Sequence, residues 1–144
     1  MTRHRLIRAV AFLGAILLTA SAAFADGFKI VVHPSNPLSS ITTSELSEYL
    51  LKRKPTWPDG KPVVPVDQPE KSAVRTALLR DVFRRSESAI KNYWHQQIFS
   101  GRALPPVQKA SDQEVVAFVL SSPGAIGYVS ESAHVGKLTV LTIR

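Results

Sequence analysis

Ser72 stands between Lys71 and Arg75 at the start of a run with helical apolar spacing, a combination suited to holding an anion. A serine at a helix N-cap leaves the backbone N–H groups of Ala73, Val74 and Arg75 at the positive end of the helix dipole. Lys71 and Arg75 add cationic charge that an oxyanion would favour. The same residues equally describe a serine that caps its own helix beside two solvated cations, and the sequence leaves both readings open. Ser35, Asn36 and Ser39 form a second candidate group just past a first strand, where α/β sheets present ligands at strand carboxyl ends. They are also ordinary turn formers that bond to their own backbone. Arg102, after Gly101, either faces the same crevice or lies on the surface.

Other chemistry finds little support. The chain has no cysteine, so thiol catalysis, thiolate metal sites and disulfides are excluded. His33, His95 and His134 are too far apart for the short ligand spacings of a metal site on one element, and no metal is expected. Gly-x-Ser-x-Gly elbows, Walker-type phosphate loops and paired carboxylates at a suggestive spacing do not occur. Asp59, Asp67 and Glu70 read as loop acids without a matched base, so an enzyme is not expected. No cofactor is expected either. Trp57 reads as closing a helix–turn–strand corner and Trp94 as core, rather than as stacking platforms. Lys52-Arg53-Lys54 reads as a solvated helix end.

The elements that must position these residues alternate between strand and helix. Phe28 to His33 is β-branched and apolar, stops at Pro34 and predicts a buried strand. Thr42 and Glu45 form a capping box with Ile41 and Leu46 as a hydrophobic staple, and Lys52-Arg53-Lys54-Pro55 ends that helix. Trp57-Pro58-Asp59-Gly60 predicts a turn into a strand over Pro62 to Val66, where Pro65 points to an edge or a strand end. Helices are predicted from Ser72 to about Phe83, from Ser86 to Phe99 with Gly101 beyond its end, and after the Ser111/Glu114 cap. The second of these carries an apolar face of Ile90, Tyr93 or Trp94, and Ile98. Ala125 to Val129 and Lys137 to Ile143 complete the strands, giving an α/β class in one domain over residues 26–144.

The N-terminus predicts export. Arg3, Arg5 and Arg8 precede an apolar run from Ala9 to Ala20, followed by Ala23-Phe24-Ala25, which fits a signal peptide over residues 1–25. The apolar run is shorter than the roughly 20 residues a membrane span requires. Removing that segment leaves 15 basic and 11 acidic residues, a net charge of +4. So mild an excess, in the periplasm, argues against a nucleic-acid partner.

Three stretches go beyond pattern. Leu50 to Val66 runs helix, basic end, Trp57-Pro58-Asp59-Gly60 and strand. Asp67-Gln68-Pro69-Glu70-Lys71-Ser72 then feeds a helix. Pro123-Gly124-Ala125-Ile126-Gly127-Tyr128 precedes the last strands, with Ile98-Phe99-Ser100-Gly101 between. In this order, from about Ile30 to Val129, the chain resembles the phosphate-binding subfamily of periplasmic solute-binding proteins, the substrate-binding components of ABC transporters. The resemblance implies a three-layer lobe with a mixed sheet, a small phosphate-like oxyanion as ligand and a membrane transporter or receptor as partner. It also implies hydroxyl and amide contacts from the first loop, at Ser35, Asn36 and Ser39. The family holds its anion with an Arg several residues before a Ser-Gly-Thr. Here Ser72 matches, Gln68 stands at the Arg position, and Ala73-Val74 replace Gly-Thr. Family members close two lobes on the ligand, and this sequence has material for about one. A sensor or interaction module of the same fold, docking on an envelope receptor or transporter, is the other function the resemblance accommodates.

Overall fold

The computed structural model describes residues 27–144; the expected signal peptide and its cleavage site lie outside the described residues. Strand β1 (Phe28–Val32) sits in the middle of the sheet because its residues are apolar on both faces. Ile30 and Val32 point to one face and Val31 to the other, as the two-residue period of a strand requires. β2 (Ser40–Ile41) is short and leads into α1 (Thr43–Leu50). The capping box forms as the sequence predicts. The Thr42 hydroxyl accepts from the Glu45 N–H at 3.1 Å, and Glu45 Oε2 accepts from the Thr42 N–H at 3.2 Å.

Helix α1 ends one turn earlier than its cationic tail suggests. Lys52 has a left-handed backbone (φ 55°), so the cations fall beyond the helix. Arg53 and Lys54 lie over the rings of Tyr93 and Tyr49 at 5.3 and 5.2 Å. The turn at 57–60 forms with Gly60 at φ 84° and a Gly60 N–H bond to the Trp57 carbonyl. Trp57 closes that corner. Its ring packs on Tyr49 at 4.5 Å, and its indole N–H donates to the Gly124 carbonyl at 3.0 Å.

β3 (Val64–Asp67) is second from the edge of the sheet. Its outer neighbour, β4 (Val107–Gln108), pairs only with Val66 and Asp67. Pro65 therefore has a strand on one side only, which is how the sheet accommodates its missing N–H. The helix expected from Ser72 to Phe83 is two pieces: α2 (Ala73–Leu78) and a π-helical turn, Leu79–Phe83, stopped by Arg84 at φ 50°. α3 (Glu87–Phe99) buries Ile90 and Trp94, but Ile98 stays 46% exposed. α4 (Asp112–Ser121) starts at the predicted Ser111 cap and precedes β5 (Ala125–Ser130) and β6 (Thr139–Ile143).

The sheet runs β2-β6-β1-β5-β3-β4. β1 is antiparallel to both its neighbours, while β2 pairs in parallel with β6, and β3 pairs in parallel with β5 on one side and β4 on the other. Alternation along β5 builds two cores. Ile126 and Tyr128 join Ile30, Leu46, Tyr49 and Leu78 beneath α1 and α2, whereas Ala125 and Val129 join Val31, Val115 and Val119 beneath α4. Leu51, Leu79, Ile90 and Trp94 form a third cluster that fastens α3. The result is a three-layer α/β lobe with a mixed sheet.

The two glycines around β5 are there for space. A Cβ on Gly127 would stand 2.7 Å from Val115 Cγ1, and one on Gly124 would stand 2.1 Å from the Pro62 carbonyl oxygen. Gly127→Ala should lower stability by about 1–3 kcal/mol through overpacking under α4. Gly124→Ala should cost more, because backbone and not a side-chain methyl has to move. Urea unfolding of both variants checks this, and an unchanged midpoint for Gly124→Ala would show that the Pro62 carbonyl does not crowd Gly124 as described.

Candidate functional site

Strand direction separates the two groups of candidate residues. Asp67 ends β3, and Ser72 to Arg75 follow at the carboxyl end of the parallel β3/β5 pair. In the β1–β5 ladder Phe28 faces Ser130 and Val32 faces Ile126, so β1 runs the other way. Its carboxyl end therefore delivers Ser35, Asn36 and Ser39 to the opposite end of the sheet. The structure does not bring these residues together with Ser72 and Arg75. There they build the turn: Ser35 Oγ lies 2.7 Å from His33 Nδ1, Asn36 Oδ1 accepts from the Leu38 N–H at 2.9 Å, and the Ser39 carbonyl accepts from the Thr142 N–H.

At the carboxyl end, Ser72 caps α2 by accepting from the Arg75 N–H at 3.1 Å. The N–H groups of Ala73 and Val74 head the helix and have no intrahelical acceptor. Arg75 is buried, at 6% exposure. Its Nε and Nη2 bond bidentately to Glu87 at 3.1 and 2.7 Å, and its Nη1 pairs with Asp67. Burial alone would lower the guanidinium pKa, but Glu87 and Asp67 outweigh it and raise the value, so Arg75 stays charged at any working pH.

Gln68 is also committed. At 3% exposure, its side-chain amide donates to Asp112 Oδ1 at 2.9 Å and to the Tyr128 carbonyl at 3.0 Å. Its backbone N–H donates to Asp67 Oδ1 at 2.9 Å and to the Tyr128 hydroxyl oxygen at 3.1 Å. The Tyr128 hydroxyl in turn donates to Asp67. Burial, then the charge of Asp67, pushes this phenol above its ordinary 10.0, so it remains a donor. No buried side-chain polar atom among the described residues lacks a partner.

Above this network lies an open crevice of about 290 Å³ between α3 and the 102–108 segment. Asp67, Arg75 and Glu87 form its floor, Glu70 and Lys91 pair at 2.8 Å across one wall, and Trp94, His95, Ile98, Pro105 and Pro106 line the other side. Arg102 is exposed. No group of three or more His, Asp or Glu suited to a metal ion occurs among the described residues.

Sequence reasoning missed Asp67, Glu87 and Asp112. The signal was present in part: Asp67 and Arg75 bracket a helix cap across a short loop, which lets a strand-end carboxylate reach the first turn of the next helix. Glu87 and Asp112 lie on elements that only the fold brings alongside.

No protein-family model and no curated protein matches the chain. Solved structures do. A chain assigned as a phosphate ABC transporter substrate-binding protein, from Clostridium perfringens and with bound phosphate, matches with a TM-score of 0.65 at 17% identity. An ABC-type phosphate transport receptor from Vibrio cholerae matches at 0.65 and 15%, and PstS from Borrelia burgdorferi at 0.63 and 14%. Each match covers 81% of this chain, but only 44%, 46% and 47% of those chains. The fold is thus that of the periplasmic binding proteins, and the chain spans less than half the length of these neighbours.

Removing Arg75 would leave Asp67 and Glu87 facing each other without their shared cation. Arg75→Ala should therefore destabilise by roughly 3 kcal/mol, the low end for a broken buried pair because both carboxylates keep some solvent contact. Tyr128→Phe, which strips Asp67 of a donor and the Gln68 N–H of an acceptor, should cost about 1–3 kcal/mol. Denaturant unfolding of the singles and the double measures both, and the two costs should not add, since the residues share Asp67. Full additivity would show that the network does not act as a unit.

Proposed function

We propose that this chain is an exported, non-enzymatic binding module of the periplasmic-binding-protein fold that presents the crevice beside Asp67 to a partner in the envelope. The observation that carries this reading is the position of Arg75. Arg75, one of the two cations expected to flank the anion site, is bonded to two carboxylates of its own chain, and the side-chain amide of Gln68, at the position where the resemblance expects an arginine, is buried and bonded to Asp112 and Tyr128. A phosphate entering the crevice meets the Asp67 and Glu87 carboxylates with their one guanidinium already used, and like charge at that range is repulsive. Nothing in the crevice pairs a nucleophile with a base, and the structural neighbours are named as binding proteins or receptors. The periplasm is the compartment that the N-terminal sequence and the neighbours together support. No helix among the described residues is long and apolar enough to cross a membrane.

A second reading is direct binding of phosphate or a similar oxyanion at Ser72, Ala73 and Val74, with Lys71 supplying charge. The phosphate in the Clostridium perfringens neighbour favours it, as do the Ala73 and Val74 amides, which begin α2 without an intrahelical acceptor.

Calorimetric titration of the chain from Asp26 onward, with phosphate and with sulfate, separates the two. The docking reading expects no heat from either anion on a folded sample. Phosphate binding that disappears in Lys71→Ala and Ser72→Ala would overturn it and establish the oxyanion site.

A further inference from the structure

Behind the crevice, on the far side of Glu70 and Glu87, lies a second open cleft of about 440 Å³ between α2 and the start of α3. The two concavities share those glutamates as a common wall. Glu70 is paired with Lys91 at 2.8 Å, and Glu87 shares Arg75, at 2.7 Å, with Asp67. Three cations line the second cleft: Arg80, which pairs with Asp81 at 2.8 Å, and Lys71 and Arg85, neither of which makes a salt bridge among the described residues. The hydroxyls of Thr76 and Ser86 stand with them. The cleft therefore has three cations against two carboxylates in its lining, two of the cations without a salt bridge.

At the other end the crevice turns apolar. Ile98, Pro105 and Pro106 line it. The residues next to them in the chain, Phe99, Leu104 and Val107, are 92%, 68% and 46% exposed. Exposed hydrophobic residues gathered in one short segment are characteristic of a contact surface. β4 adds an open strand edge at the same place, because it is the last strand of the sheet.

We infer that the continuous face from the Lys71–Arg85 cleft, over the Glu70/Glu87 wall, to Ile98 docks an extended segment of a partner protein, acidic at one end and apolar at the other. The inference rests on the binding-module reading and gives that module's partner its chemistry. Charge complementarity selects the acidic end, since cations outnumber carboxylates in the cleft and Lys71 and Arg85 make no salt bridge. The open edge of β4 at the apolar end selects a polypeptide over a lipid surface, since an extended segment can pair its backbone there.

The test is fluorescence anisotropy of a labelled peptide carrying a run of Asp and Glu followed by Leu, titrated with the chain from Asp26 onward. Binding should weaken as salt shortens the Debye length from about 30 Å to about 8 Å. The double variant Lys71→Glu/Arg85→Glu should bind roughly tenfold more weakly or worse. Ile98→Ser should weaken binding without changing its salt dependence. Lys61→Glu/Lys137→Glu, which makes the same charge change at the opposite end of the sheet, should leave binding at the wild-type level; an equal loss there would overturn the site. Vesicles containing anionic phospholipid that bind in place of the peptide would likewise overturn it. If neither phosphate nor the peptide binds, this surface assignment fails while the module reading stands. If phosphate binds at Ser72, the module reading fails first.

Discussion

Asp67 sits where four elements meet, and its carboxylate is bonded to three of the groups arriving there. It ends β3, accepts from the Tyr128 hydroxyl of β5 and from the Gln68 N–H, and pairs with Arg75 of α2, which extends the chain of charge to Glu87 of α3. A buried guanidinium is tolerated only when its donors are satisfied by charge. Two carboxylates on different elements meet that condition here, and so fix how α2 and α3 sit over the end of the sheet. Tyr128 must keep its proton to donate, and its burial beside Asp67 ensures that it does.

This arrangement decides what the crevice can do. A free arginine at the head of a helix is an anion receptor, while one held by two acids is a structural tie. Gln68 behaves in the same way: a side chain that could reach into the crevice turns inward and joins β3 to Asp112 at the start of α4. The capacity for recognition then shifts outward, to Lys71 and Arg85 on one side and to the exposed apolar residues from Ile98 to Val107 on the other.

The Gly-Ala-Ile-Gly-Tyr segment shows how one stretch of sequence serves both scaffold and site. Gly124 admits the Pro62 carbonyl and offers its own to Trp57, Gly127 makes room for Val115, and Ala125 and Ile126 fill opposite cores. Tyr128 then reaches Asp67 from the same strand. The specificity of the segment is thus accounted for by packing and by the hydrogen bonds of Gly124 and Tyr128.

Much of the local structure was legible in the residues. The capping box at Thr42 and the serine caps, the turn at Gly60, the glycine after α3 and the alternation of strands with helices rest on interactions within a few positions, so the sequence carries them directly. Trp57 and Trp94 fall where their apolar surroundings predicted. What the sequence could not carry was the direction of β1 within the sheet, because a fully buried strand reads alike in either direction; that direction alone sends Ser35, Asn36 and Ser39 away from Ser72. The split of the 72–83 helix into α2 and a π-turn, and the exposure of Ile98, were likewise set by packing against α1 and α3. The partners of Arg75 and Gln68 were also out of reach, since they come from residues 8, 12, 44 and 60 positions away. The sequence determined which groups could bind; only the tertiary structure decided which of them were already bound to each other.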